Sequence, residues 1–228
     1  MTLVKICGIT RPEDVTLCAH EAVDMIGLIV EVARSPRSVD LYRAAALAHL
    51  SALRVVALLE HPSPERAAEV AQRLGAHAVQ LVGGEPPEIV DAVAHALGDT
   101  LLFVTVGVPP AGAACDVVAL QASAAAVADA GAEAIVVDTA PPGQGGEPAL
   151  AGGTGATCDW EAARSVVEAS RVPVWLAGGL DPGNALSAIR QVGPVGLDVS
   201  SGVEAHPGAK DPHLVRDLIW AVREADRW

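Results

Sequence analysis

Short apolar runs rich in Val, Ile and Leu recur along this chain, and longer segments with a mixed apolar and polar pattern separate them. Leu3–Ile6, Met25–Val30, Arg54–Leu59, Ala78–Leu81, Leu101–Val106, Ala134–Asp138, Val172–Leu176 and Gly196–Val199 read as buried strands. Helices are predicted between and after them, over Pro12–Ala22, Val39–Leu50, Pro64–Leu74, Pro87–Leu97, Ala122–Ala130, Asp159–Ala169, Pro182–Gln191 and Pro212–Ala225. Thr10 is placed to cap the first helix, with Pro12 in its first turn, and Ser63 to cap the third. The stretch Gly107–Ala119 is less regular: Pro109-Pro110-Ala111-Gly112 is a loop, and Cys115–Leu120 reads as a short strand or irregular chain.

Strands alternating with helices argue for a parallel sheet. Eight such units in 228 residues, with no break in composition, predict a single α/β domain over residues 1–228, a (β/α)8 TIM barrel at the short end of its size range. An open doubly wound sheet is the other arrangement, but the GxGxxG fingerprint after the first strand is absent.

Composition narrows the function. The chain is 51% hydrophobic and carries a formal net charge of −13, so it offers no basic surface for nucleic acid or anionic lipid. No apolar run reaches membrane-spanning length, and Met1-Thr2-Leu3-Val4-Lys5 leads straight into a strand rather than a signal peptide. Cys7, Cys18, Cys115 and Cys158 form no CxxC pair and no zinc spacing, which points to reduced thiols in a cytoplasm and to no metal or cofactor. A small-molecule ligand remains, bound by a monomer or homodimer.

In parallel α/β proteins the active site is built at the C-terminal ends of strands. Cys7 closes the first strand, and Gly8 turns the chain away after it; the thiol either packs in the core or faces the site. Asp138 closes the sixth strand, either as a turn cap or as a half-desolvated carboxyl suited to donating a proton near neutrality. After the seventh strand stands Gly178-Gly179, and after the eighth Asp198-Val199-Ser200-Ser201-Gly202. Loops in these two places commonly bind phosphate through backbone N–H groups. Gly153, Thr154 and Gly155, in the long loop after strand six, add further candidate donors. Arg37 in Ser35-Pro36-Arg37 is either a fork for a planar carboxylate or a solvated surface residue, and Gln80 is either a site amide or a satisfied core one. A thiol, an acid and a phosphate grip suit proton transfer on a sugar phosphate. They suit nucleophilic acyl transfer less, because no His stands at a strand end to activate the thiol.

Val4-Lys5-Ile6-Cys7-Gly8-Ile9-Thr10, Ser35-Pro36-Arg37, Val79-Gln80-Leu81, Val137-Asp138-Thr139, Gly152-Gly153-Thr154-Gly155, Leu176-Ala177-Gly178-Gly179-Leu180 and Asp198-Val199-Ser200-Ser201-Gly202-Val203-Glu204 follow one another in a known order. Together they resemble the phosphoribosylanthranilate isomerase family, (β/α)8 enzymes of tryptophan biosynthesis. The resemblance implies an Amadori rearrangement with Cys7 as general base, Asp138 as general acid and Arg37 on the anthranilate carboxylate. It places the phosphate at Gly153–Gly155, Gly178–Gly179 and Ser200–Gly202. It also implies a thiol of lowered pKa. Lys5 is near in sequence, but strand alternation argues against giving it that task. Two departures fall on the aglycone side. Val82 stands where the family usually has His, and residues 29–34 lack the usual aromatic. They leave two alternatives in view, an Amadori isomerase acting on another phosphoribosyl-amine and a non-catalytic phospho-ligand-binding barrel.

Overall fold

The computed structural model describes residues 1–140 and 157–227. Eight parallel strands form its centre: β1 (Leu3–Cys7), β2 (Met25–Val30), β3 (Arg54–Leu59), β4 (Ala78–Leu81), β5 (Leu101–Val108), β6 (Ala134–Thr139), β7 (Val174–Leu176) and β8 (Gly196–Val199). Each pairs with the next, and β8 pairs with β1, so the sheet closes into a barrel. Helices α1 (Pro12–His20), α2 (Leu41–Leu50), α3 (Pro64–Leu74), α4 (Pro87–Leu97), α5 (Val117–Asp129), α6 (Trp160–Ala169), α7 (Ala185–Val192) and α8 (Pro212–Ala225) follow the strands in turn.

Alternation along each strand divides the core in two. Val4, Ile6, Ile26, Leu28, Ala57, Val79, Ile135 and Leu197 point outward and join the helices in one continuous apolar layer. Met25, Val56, Leu58, Ala78, Phe103, Ala134, Val136 and Trp175 point inward and make a second, smaller cluster with Cys7. The Phe103 and Trp175 rings lie 6.1 Å apart within it. Buried on both faces, the strands read as continuous apolar runs, and for that reason they were legible.

Several predicted elements shift for local reasons. Val39 belongs to a two-residue strand, Ser38–Val39, that pairs with β2; α2 starts later because the Asp40 carboxylate accepts from the Arg43 N–H at 2.7 Å. Asp116 likewise caps α5, accepting from Ala119 N–H, so most of the predicted Cys115–Leu120 strand is helix. The Thr10 hydroxyl donates to the Gly208 carbonyl at 2.6 Å instead of capping α1. Asp181 holds Gly183 and Asn184 in a turn, which moves the start of α7 to Ala185. Ser63 caps α3 as expected. Past β8 the chain makes a short 3-10 turn, Ser201–Val203, and an antiparallel pair, Glu204–His206 with Ala209–Lys210.

Candidate active site

Cys7 is the last residue of β1 and is almost fully buried. The Gly8 and Ile9 N–H groups both donate to the Gly27 carbonyl at 3.0 Å, which pins the turn after the thiol against β2. Gly27 also makes room for the sulfur: a Cβ there would lie 2.9 Å from Cys7 Sγ. Nothing in the pattern of β2 marked this glycine except its place in an otherwise branched run.

Lys5 overturns the expectation drawn from strand alternation. A period of two puts residues i and i+2 on the same face, so Lys5 and Cys7 both point into the barrel. Lys5 is fully buried. Its ammonium donates to Asp198 Oδ2 at 2.6 Å and to Gln80 Oε1 at 2.7 Å, and Gln80 Nε2 donates on to the Thr105 hydroxyl at 3.0 Å. Burial alone would strip the lysine of its proton, but the Asp198 carboxylate, aided by Cys7 and Asp138, raises its pKa above the ordinary value. Gln80 is therefore a satisfied interior amide, and Asp198 the partner of a buried cation. The other Asp198 oxygen and the Ser200 hydroxyl are buried with no hydrogen-bond partner among the described residues.

The thiol departs from the lowered pKa that the resemblance implies. Burial pushes Cys7 up to about 11; Lys5 and Lys210 pull it down, and Asp198 and Asp138 push it up. Asp138, next to last in β6, is raised to about 7, chiefly by burial, against the Thr139 N–H that donates to it at 2.7 Å.

Around the ring, β7 and β8 lie between the strand of Asp138 and the strand of Cys7. The loops after them pack so closely that only glycine fits. A Cβ on Gly178 (φ +84°) would meet Thr139 Oγ1 at 2.2 Å and Asp138 Oδ1 at 3.0 Å. One on Gly202 would sit 1.9 Å from the Leu180 carbonyl oxygen. Asn184 Nδ2 donates to the Gly179 carbonyl at 2.8 Å and stiffens the first loop. The N–H groups of Gly178, Gly179, Ser201 and Gly202 make no hydrogen bond to another described residue. Together they offer an oxyanion a set of backbone donors. Gly153, Thr154 and Gly155, and the loop of residues 140–151 apart from Ala140, lie outside the described residues.

Arg37 is no solvated surface residue. It is buried, and its guanidinium grips Glu204 through Nε at 2.8 Å and Nη2 at 2.7 Å. Lys210 donates to the same Glu204 at 2.8 Å and to the Ser200 carbonyl at 3.1 Å. Burial would raise the Glu204 carboxyl, but these two cations hold it below its ordinary value. The Arg37 side chain lies against Gly8, where an added Cβ would meet its Cδ at 2.5 Å. Glu204 and Lys210 were missed as site residues, because a hairpin so far along the chain gives no local sign that it folds back over β1.

On the β2–β4 side, Val82 is buried in the interior cluster with Ile29 and Val32. Beside it the buried Glu85 carboxylate accepts from Gly83 N–H at 3.1 Å and from His61 N–H at 2.8 Å, joining the loops after β3 and β4. Among the described residues no three His, Cys, Asp or Glu side chains converge as metal ligands, and no helix is long and apolar enough to cross a membrane.

A parallel barrel whose strand ends present a thiol, a perturbed acid and a backbone anion cradle defines the class of enzymes that move protons on small phosphorylated substrates. Comparison with known proteins sharpens that class. Residues 4–221 match the family model described as N-(5'phosphoribosyl)anthranilate (PRA) isomerase, and the chain belongs to that family. It is 36% identical to the N-(5'-phosphoribosyl)anthranilate isomerase of Methanocella arvoryzae over 225 residues, 98% of this chain and 99% of that one. The crystal structure of phosphoribosyl anthranilate isomerase from Thermotoga maritima superposes with a TM-score of 0.79 at 30% identity, covering 98% of this chain and 100% of the other. A structure of phosphoribosyl anthranilate isomerase in complex with reduced 1-(o-carboxyphenylamino)-1-deoxyribulose 5-phosphate superposes at 0.77 with 27% identity, with the same coverage.

Proposed function

We propose that Cys7 and Asp138 are the base and acid with which this enzyme converts N-(5-phosphoribosyl)anthranilate to 1-(o-carboxyphenylamino)-1-deoxyribulose 5-phosphate, an aldose–ketose isomerisation of tryptophan biosynthesis. The observation that carries the roles is their arrangement. Cys7 ends β1, Asp138 is next to last in β6, and the loops of the anion cradle follow the two strands between them.

Asp138 donates its proton to the furanose ring oxygen as the bond from that oxygen to C1 breaks. The nitrogen lone pair forms the C1–N double bond, leaving an open-chain iminium. The Cys7 thiolate then removes the C2 proton, and its electron pair flows into the iminium to give an enolamine. Protonation at C1 and loss of the C2 hydroxyl proton yield the ketone. A carboxyl with a pKa of about 7 suits the first step at neutral pH. At a pKa of about 11, with the neighbouring charges already acting, only about one thiol in 10^4 is ionised at pH 7, so the cationic iminium, which acidifies the C2 proton, carries much of the burden of the second step.

The backbone donors at Gly178, Gly179, Ser201 and Gly202, with Gly153, Thr154 and Gly155, hold the phosphate. Arg37, aligned by Glu204, meets the anthranilate carboxylate, and the oxygens of Asp198 and Ser200 that have no partner among the described residues meet substrate hydroxyls. The ligand is thus a small phosphorylated N-ribosylamine. A thiol that works as a base must stay reduced, which fits a cytoplasmic setting.

The test generates the unstable substrate in place from anthranilate, phosphoribosyl pyrophosphate and a phosphoribosyltransferase, and follows its fluorescence. Rapid loss is expected with the wild type, reduced about 10^3-fold or more by Cys7→Ala and by Asp138→Asn, the range for removing an acid or base. Full activity in either variant removes that residue from its role.

A further inference from the structure

Lys5 is a buried charge that the steps above do not use. It lies two residues before Cys7 on the same face of β1 and is wholly out of contact with solvent. Two of its three donors are committed, to Asp198 on β8 and Gln80 on β4, and Gln80 is in turn braced by Thr105 on β5. The ammonium is therefore fixed near the barrel axis, between the adjacent β8 and the strands β4 and β5 across the ring. A buried ion pair of this kind is weak evidence for stability, since apolar residues of similar volume often serve as well. Its field on other groups in the same dry interior is a different matter, because little water screens it there.

We propose that Lys5 is a positioning residue of the isomerisation, a fixed cation beneath the site that favours the thiolate of Cys7 through space while Asp198 and Gln80 hold it in place. The inference rests on the reading of Cys7 as the base. The charged groups that face the thiol come from five places: Lys5 on β1, Asp198 on β8, Asp138 on β6, Lys210 on the hairpin after β8, and Arg37 after β2. The two lysines each commit two donors, Lys210 to Glu204 and the Ser200 carbonyl, Lys5 to Asp198 and Gln80. Lys5 contributes the largest stabilisation of the thiolate among these groups. Asp198 opposes it, so the pair acts on the thiol as a dipole with its positive end set by Lys5.

The cation makes a prediction at the thiol. Lys5→Met removes the charge and should disfavour the thiolate. Asp198→Asn should act in the same direction, because without that carboxylate burial strips Lys5 of its proton and the thiol loses its larger, favourable neighbour along with the smaller, opposing one. The readout is the rate of iodoacetamide alkylation at Cys7, resolved by peptide mass spectrometry between pH 6 and pH 10, with Cys115 as the internal control. Lys5→Met should slow alkylation of Cys7 about tenfold, the scale expected for one charge close to a buried group, and Asp198→Asn should slow it by less. In Lys5→Met kcat should fall by a similar factor with KM little changed. Unchanged or faster alkylation in either variant overturns the proposal, as does a shifted thiol with unaltered kcat. If Lys5→Met does not fold, Asp198→Asn decides alone. Full activity of Cys7→Ala would instead defeat the reading of Cys7 as base, whatever the alkylation rates show.

Discussion

The two sides of the barrel mouth are built from different materials. On the side of β7 and β8 the surface is backbone: Gly178, Gly179 and the Ser201–Val203 turn, so tightly joined that Gly202 has no space for a methyl group. On the side of β2 to β4 it is side chain: Arg37 in the grip of Glu204, with Val82, Ile29 and Val32 behind and the Glu85 brace beside them. Backbone donors are the same whatever the side chains, so a cradle made of them suits a group that never varies, such as a phosphate. Side chains can be exchanged one at a time, which suits the part of a ligand that distinguishes one substrate from another. The departures from the family pattern, at Val82 and at residues 29–34, all fall on the side-chain half.

The comparison can be broken most forcefully at Gly202. Gly202→Ala must push the Leu180 carbonyl aside, and losing two charge-assisted hydrogen bonds should raise KM about 100-fold or more and abolish inhibition by inorganic phosphate. Retained phosphate inhibition in a folded variant would mean that the anion sits elsewhere. The pH profile has nearly the same reach. The proposed mechanism needs Asp138 protonated and Cys7 ionised, with values of about 7 and about 11. Below pH 7 the acid is fully protonated and the thiolate fraction grows tenfold per pH unit. Between the two values the gain in thiolate cancels the loss of acid. Plots of kcat/KM should therefore rise about 50-fold from pH 5 to pH 7 and level off about 100-fold above the pH 5 value. The bend reports the acid on the backbone half, so Glu204→Gln should not move it.

Glu204→Gln sharpens the contrast. It removes the shared partner of Arg37 and Lys210, and KM should rise about tenfold, the cost of one charge-assisted hydrogen bond. Inhibition by inorganic phosphate should be unchanged; a parallel loss would show that the two halves are coupled. Val82→His gives the smallest effect. An imidazole in place of a buried valine should change KM a few-fold and leave phosphate inhibition alone, as measured in the same assay.

Much of this was readable beforehand, for a physical reason. Strands buried on both faces are continuous apolar runs, and the chemistry stands where those runs stop, so Cys7, Asp138, Gly178 and Ser200 could be placed from the sequence alone. The interior was harder. Lys5 was set aside on strand alternation, and only the ring shows that Asp198, 193 positions later, neutralises it. Gly27 gave no sign that it was needed to seat a sulfur. For Arg37 the residues alone left a carboxylate fork and a solvated surface residue both open, because its partner arrives on a hairpin from the other end of the chain. What was missed in each case is a long-range contact. The Val117-Val118 pair misled for a local reason: β-branched residues favour strands, and here the Asp116 cap and the alanines after it prevail.

The pairing of Lys5 with Asp198 also has a consequence for how the chain folds. Register sets these two residues directly opposite each other where the first strand meets the last. Almost the entire polypeptide must be in place before that seam can shut, a closure of high contact order and high entropic cost. Until it shuts, a lysine at the centre of a growing apolar interior has no counter-ion. A seven-stranded intermediate with its interior closed to water would therefore hold an uncompensated charge, a penalty that only the arrival of the eighth strand removes. The same carboxylate that balances the lysine in the finished barrel thus discourages any unfinished one from settling.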